Sequence, residues 1–261
     1  MNRRGFALLA VLWVLTALTA LTGAGLLVAR LGSETTRNRM LLARADWGRE
    51  ACGEILAARF AVDATIRGLD PMDLGRGTWC RALLDDPTAK LNVNLADLDA
   101  LAKLLTALGV QRAIADSTIA RRRLGTIYDL SQIPGLDSST VVRLLPFLTT
   151  RGTGAINVNA ARPEVLRVLP GVTEETVLVI MSRRSTRTLH NADELAGAVS
   201  RSSRTQLLAS YAEFVRVAAF APPQLMVTLE GGVHGTAITS RATVTVVPVS
   251  GRLAVIRRET E

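Results

Sequence analysis

Arg3–Trp13 reads RRGFALLAVLW: two arginines and a glycine run without a spacer into an apolar segment. From Phe6 through Ala29 there is no charged residue, and a helix of that length, about 36 Å, crosses a hydrocarbon core with some tilt. A secretory signal has a shorter apolar run followed by a small-residue cleavage site. Here the run continues into LGSETTRNRMLLARADWGREACGEILAARFAVDATIRGL (Leu31–Leu69), which reads as more helix. Ala51, Ile55, Ala58, Val62 and Ile66 recur at spacings of three and four and predict one apolar face on a rod that ends near Gly68. Arg3 and Arg4 favour a cytoplasmic amino terminus, which places the rest of the chain outside. Arg30, Arg37, Arg39 and Arg44, just beyond the segment, oppose that bias.

Hydrophobic residues make up 48% of the chain and aromatics 4%. A core must therefore rest on Leu, Val, Ile and Ala, and aromatic platforms for single-stranded nucleic acid are not expected. The formal charge of +8 is dispersed over many arginines, with one run at Arg121, Arg122 and Arg123, as on a solvated basic surface. Cys52 and Cys80 are the only cysteines and have no CxxC spacing; His190 and His234 are the only histidines. That composition argues against a zinc site or a Cys/His nucleophile. Outside the cytoplasm Cys52 and Cys80 could form a disulfide tying the long helix to the segment after it.

Farther along, the chain echoes itself. KLNVNLADLDALAKLLTALGV (Lys90–Val110) returns as AINVNAARPEVLRVLPGV (Ala155–Val172). In each an extended NVN leads into a helix, begun by Asp97 as N-cap or by Pro163 at the first helical position. A second echo sets QIPGLDSSTVVRLLPFL (Gln132–Leu148) against VLPGVTEETVLVIMSRR (Val168–Arg184). Both read as a helix end, a Pro-Gly turn, a cap and another helix, making helix-hairpin-helix units. Such units can grip DNA phosphates through a glycine hairpin and a helix amino end. Here Asp137 or Thr173 stands where a second glycine would be, and Glu174 and Glu175 lie in the first turn, where they suit the helix dipole but repel phosphate.

On either side of the helical region the period becomes alternating. GTWCRALLDDPTAKLNVN, EFVRVAAFAPPQLMVTLEGG and SRATVTVVPVSGRLAVIRRE read as strands of an antiparallel sheet. Arg241, Thr243 and Thr245 would share one face and Ala242, Val244 and Val246 the other. The fold class is α+β: a long N-terminal membrane-spanning helix, a small antiparallel sheet, and a large inserted α-helical domain of helix-hairpin-helix (SAM-like) units.

A basic leader ending in glycine, then phenylalanine and a long apolar helix, resembles the class III signal of type IV pilins and of type II secretion pseudopilins. With the doubled NVN helices, Pro-Gly hairpins and strand-rich tail, it is similar to the minor pseudopilins of the general secretion pathway protein K family. The resemblance covers nearly the whole mature chain and implies that prepilin peptidase reads Arg3, Arg4 and Gly5, cuts after Gly5, and leaves Phe6 as a methylated terminus. Most pilins carry a glutamate at the fifth mature position, where this chain has Ala10; its loss is a habit of the protein K family, placed at a pilus tip with no subunit above. The implied organisation is a leader at 1–5, a membrane segment at 6–29, a periplasmic helix at 30–68, sheet residues at 69–95, the insert at 96–212 and C-terminal strands at 213–261. The implied location is the inner membrane, single-pass, with the C-terminal domain in the periplasm, and the implied partners are other minor pseudopilins and the peptidase.

Members of that family often have a longer, acidic segment between the two halves, associated with bound calcium. Here that region, GVQRAIADSTIARRRLGTIYDL, offers only Asp116 and Asp129, and calcium needs six to eight oxygens, so no cofactor is expected. No G-x-S-x-G elbow, P-loop or H-E-x-x-H occurs. The paired carboxylates Asp70 and Asp73, Asp85 and Asp86, and Asp97 and Asp99 read as turns and caps. The expectation is an assembly subunit rather than an enzyme, with a membrane-tethered DNA receptor using the hairpins as the alternative and nucleic acid not the favoured partner.

Overall fold

In a computed structural model the backbone is described for residues 3–121 and 123–260 and side-chain surroundings for 11–121 and 123–259. Helix α1 runs Arg3–Val62, and no proline interrupts the chain before Pro71. Within it Thr16, Thr19 and Thr22 donate their hydroxyls to the carbonyls of Leu12, Leu15 and Leu18 at 2.9, 2.9 and 3.0 Å, so these three hydroxyls are satisfied within the helix. Asp63 stops the helix: its carboxylate accepts the Thr65 N–H at 2.8 Å and the Thr65 hydroxyl at 2.6 Å. The rod thus ends at Val62 rather than near Gly68, and a local side-chain turn is the reason.

Strands β1 (Gly68–Gly75) and β2 (Thr78–Asp85) follow, joined by a turn with positive φ at Arg76 and Gly77. After the helical region come β7 (Leu225–Val233), β8 (Thr239–Val249) and β9 (Arg252–Thr260). The five strands form an antiparallel sheet in the order β1-β2-β7-β8-β9. Between β2 and β7 in the chain lie β3 (Leu91–Asn92), α2 (Leu98–Ala107), α3 (Arg112–Ala120), a 3-10 turn at Ile127–Gln132, α4 (Ser138–Leu144), β4 (Leu148–Thr149), β5 (Ile156–Asn157), α5 (Pro163–Leu166), α6 (Glu174–Arg184), α7 (Ala192–Ala198), α8 (Arg201–Ala209), α9 (Tyr211–Val217) and β6 (Ala218–Ala219).

The chain divides into two compact units. The first holds residues 1–56, 69–82 and 229–242; the second holds 57–68, 83–228 and 243–261. In the first, α1 and the strands approach backbone to backbone. A Cβ added at Gly231 would lie 2.2 Å from the Ala45 carbonyl oxygen and 2.4 Å from the Arg49 nitrogen, and one added at Gly48 would lie 2.9 Å from Thr78 Cγ2. Only glycine fits at so close a crossing. The buried face of α1 therefore runs through Ala45, Gly48, Cys52 and Leu56, with Phe60 also buried farther on. It is not the face of Ala51, Ile55, Ala58, Val62 and Ile66: Val62 is 91% exposed. Apolar spacing alone missed this because a glycine on each partner, Gly48 of α1 and Gly231 of β7, decides which side can come close.

The second unit is built around a doubled helical plan. Leu91 and Asn92 pair in parallel with Leu148 and Thr149, and Ile156 and Asn157 pair in parallel with Ala218 and Ala219. Each short parallel pair closes a repeat, 91–149 and 156–219. Their side chains fill one core through Leu101, Leu105 and Leu144 in the first and Val165, Ile180 and Leu207 in the second. The NVN echo marks equivalent positions. The Pro-Gly echo does not: Pro134-Gly135 lies in the second hairpin of its repeat, before α4, while Pro170-Gly171 lies in the first hairpin of the other, before α6. The counterpart of Gly171 is Gly109, between α2 and α3, which has no proline to signal it.

One expected strand is a helix. Residues 213–217, read as the start of the C-terminal strands, belong to α9, because Phe214 is fully buried in the helical core and its ring meets Phe220 edge to face at 6.3 Å. Packing overrode the β propensity of Phe214, Val215 and Val217.

Candidate functional site

From Val11 to Val28 the large apolar side chains of α1 stand free; Trp13 is 70% exposed and Leu21 73%. An exposed, charge-free helical face of this length is stable only against another apolar phase, lipid or protein, and it is a candidate membrane span. Arg3, Arg4, Gly5, Phe6 and Ala10 belong to this helix by backbone, but their side chains lie outside the described residues.

At the foot of the rod, Arg49 is 8% exposed. Its guanidinium donates to Ser240 Oγ at 3.0 Å and meets Asp46 at 3.5 Å, while the Ser240 hydroxyl donates to the same Asp46 carboxylate. This triangle ties α1 to β8 and compensates a charge that burial would otherwise penalise. Sequence reading missed it, because Arg49 sits among exposed arginines and its partner is far along the chain. On the neighbouring strands Glu230 of β7 is shared by Arg81 of β2 and Arg241 of β8. Cys52 and Cys80 are brought together here, both fully buried as free thiols. Burial pushes both thiols up.

In the insert each NVN segment makes the same turn: Asn92 Oδ1 accepts the Asn94 N–H at 2.9 Å, and Asn157 Oδ1 accepts the Asn159 N–H at 3.1 Å. The second asparagine then clasps a leucine thirty residues on. Asn94 accepts from the Leu124 N–H and donates to its carbonyl, both at 2.9 Å. Asn159 treats Leu189 the same way at 2.9 and 2.8 Å. Beyond each leucine a capping pair recurs, Thr126 with Asp129 and Asn191 with Glu194. Asp86, read as a cap, is one: it is 7% exposed, accepts the Thr88 N–H at 2.9 Å, and also accepts the Asn157 amide at 2.7 Å.

The hairpins are poor phosphate cradles. The Val110, Leu136 and Val172 N–H groups are spent on the carbonyls of Leu105, Ile133 and Leu169. Asp137 occupies the amino end of α4, where hydrogen bonds from Thr140 and Ser139 lower its carboxyl to about 2. At α6 the carboxylates of Glu174, bonded by Arg167, and Glu175, bonded by Ser200 and Ser203, are also held below the usual range. Negative charge fixed at these ends repels a phosphate. The two carboxylates of the Gly109–Leu130 region are engaged as well: Asp116 pairs with Arg112 at 3.2 Å and Asp129 closes its cap. Among the described residues no three His, Cys, Asp or Glu side chains gather as metal ligands.

No protein-family model matches this sequence, and no curated protein matches it. The fold does have a solved counterpart: a chain in the crystal structure of the GspK-GspI-GspJ complex from the enterotoxigenic Escherichia coli Type 2 Secretion System is similar with a TM-score of 0.59 and 15% identity. The likeness covers 89% of this chain and 99% of that one. The fold is thus shared with that chain over nearly the full length of both.

Proposed function

We propose that this chain is a minor pseudopilin of a type II secretion system: an assembly subunit, anchored in the inner membrane by α1, that starts or caps the pseudopilus from its tip. The observation that carries this reading is the combination of an exposed, charge-free stretch of helix, a rod clamped to a small sheet, and a doubled helical insert, in a fold shared over 89% of this chain with a chain of the GspK-GspI-GspJ complex. The catalytic motifs are absent from the sequence, and the buried charges are consumed in structural clamps. Other pseudopilins are the partners that an exposed rod face would meet. Prepilin peptidase would remove the leader after Gly5, with Phe6 methylated, and the remaining chain would face the periplasm.

Alanine at position 10 suits the tip. A glutamate in a membrane helix is costly unless it meets a charge, and a subunit with nothing above it has no amine to offer one. The direct test is the mass and amino-terminal sequence of the protein purified from membranes: the expected result is a chain that begins with methylated Phe6, and an intact leader would sink the reading. The tip position is tested separately by Ala10→Glu and by deleting residues 96–210. Unchanged pilus length and subunit position in both variants would remove it.

A further inference from the structure

We infer that Cys52 and Cys80 are joined by a disulfide while the chain folds, before α1 closes onto β2, so that the rod is covalently pinned to the sheet. The inference rests on the proposed placement of these residues outside the cytoplasm, because disulfides persist in oxidising compartments. The geometry arises from register. Gly48 packs on Thr78 and Trp79. Four residues farther along a helix is about 6 Å, and two farther along a strand is about 6.6 Å, so the two elements keep pace and the next contact is Cys52 with Cys80. Strand alternation agrees, since Thr78, Cys80 and Ala82 all face inward. Both cysteines are 0% exposed, on the facing sides of α1 and β2. No third cysteine exists to compete, so the chain has one internal connectivity.

The order of events follows from burial. The attacking species in disulfide exchange is the thiolate, and in the closed fold both thiols are sealed from solvent and disfavoured as thiolates. The exchange therefore belongs to the open chain. One thiolate attacks a small-molecule or protein disulfide and releases one thiolate of that oxidant. The second cysteine then attacks the protein sulfur of the mixed disulfide and releases the other. Two electrons pass to the oxidant, whose two thiolates take up the two protons lost by the cysteines. Once α1 seats, the same burial protects the bond from reductants.

The full-length protein is extracted from membranes, denatured with and without a reductant, and treated with a maleimide, with the amino terminus sequenced from the same sample. The expected result is no label without reductant, two labels after it, and an unreduced mass lower by two hydrogens than the dithiol. Reductant applied to the folded protein leaves it unlabelled, and oxidant bridges the cysteines during refolding but not after. Two labels without reductant on a chain beginning at Phe6 would overturn the bridge and leave the pseudopilin reading standing. A bridged chain with its leader intact would keep the bridge and overturn that reading; an unbridged chain with its leader intact removes both.

Discussion

In the first helical repeat Asn92 gives its side-chain amide to the carbonyls of Arg151 and Gly152, whereas in the second Asn157 gives it to the buried Asp86 carboxylate. The hairpin glycines differ in the same direction. Gly109 and Gly171 both hold positive φ, but a Cβ at Gly109 would meet nothing within 4 Å, while one at Gly171 would lie 2.9 Å from the Gln206 carbonyl oxygen and 3.0 Å from Leu207 Cα. One local plan, an Asx turn followed by a helical hairpin, has been set into two packing environments: at these two equivalent positions the second repeat makes a charged and a close contact where the first makes a neutral one and none.

That contrast is most exposed at the glycines. Gly171→Ala combines left-handed strain with a backbone clash and should cost about 3 kcal/mol, whereas Gly109→Ala bears the strain alone and should cost about 1 kcal/mol. Urea unfolding of both variants measures the gap, and equal costs would mean that the tight packing of the second hairpin is not what holds it. The asparagines come next. Asn157→Ala removes a bond to a buried carboxylate and should cost about 2 kcal/mol, against about 1 kcal/mol for Asn92→Ala. Restoring the partner's neutrality with Asp86→Asn in the Asn157→Ala background should recover part of the loss if charge is the cause.

The smallest effect is in acid. Asp137 in the first repeat and Glu175 in the second are both held below their ordinary range by hydroxyl and amide donors. A carboxyl with a lowered folded pKa contributes stability that is present above its unfolded value, near pH 4, and is lost as pH falls through the folded one. Asp137→Asn should therefore flatten the acid limb of stability between about pH 4 and about pH 2, and Glu175→Gln, which replaces one of the two acceptor oxygens serving Ser200 and Ser203 with an amide donor, should flatten it below the usual carboxylate range. Amide exchange followed separately in α4 and α6 reads the two repeats apart; an unchanged acid limb in either variant shows that its cap does not steer that repeat.

Much of the architecture could be read before any coordinates. The charge-free run after Gly5, the doubled NVN and the alternating tail each depend on near neighbours in the chain, and periodicity reports those directly. The Pro-Gly echo misled because proline and glycine mark a turn without saying which turn of a repeat it is; the clasp of Asn94 on Leu124 and of Asn159 on Leu189 supplies the register. That signal was present as an equal spacing from each NVN to a leucine, but nothing in composition set those leucines apart from the many others. Arg49 was invisible for a related reason, since Ser240 lies 191 positions away.

The sequence by itself determined the long apolar run, the helical insert, the strand-rich frame and the absence of familiar catalytic motifs, because each follows from residue type at short range. Only the tertiary structure decided which face of the rod is buried, which hairpin glycine carries a packing role, and that Cys52 faces Cys80. Those outcomes depend on how closely two backbones can approach. At Gly48 and Gly231 the missing side chains set that distance, and from it the register of helix against strand.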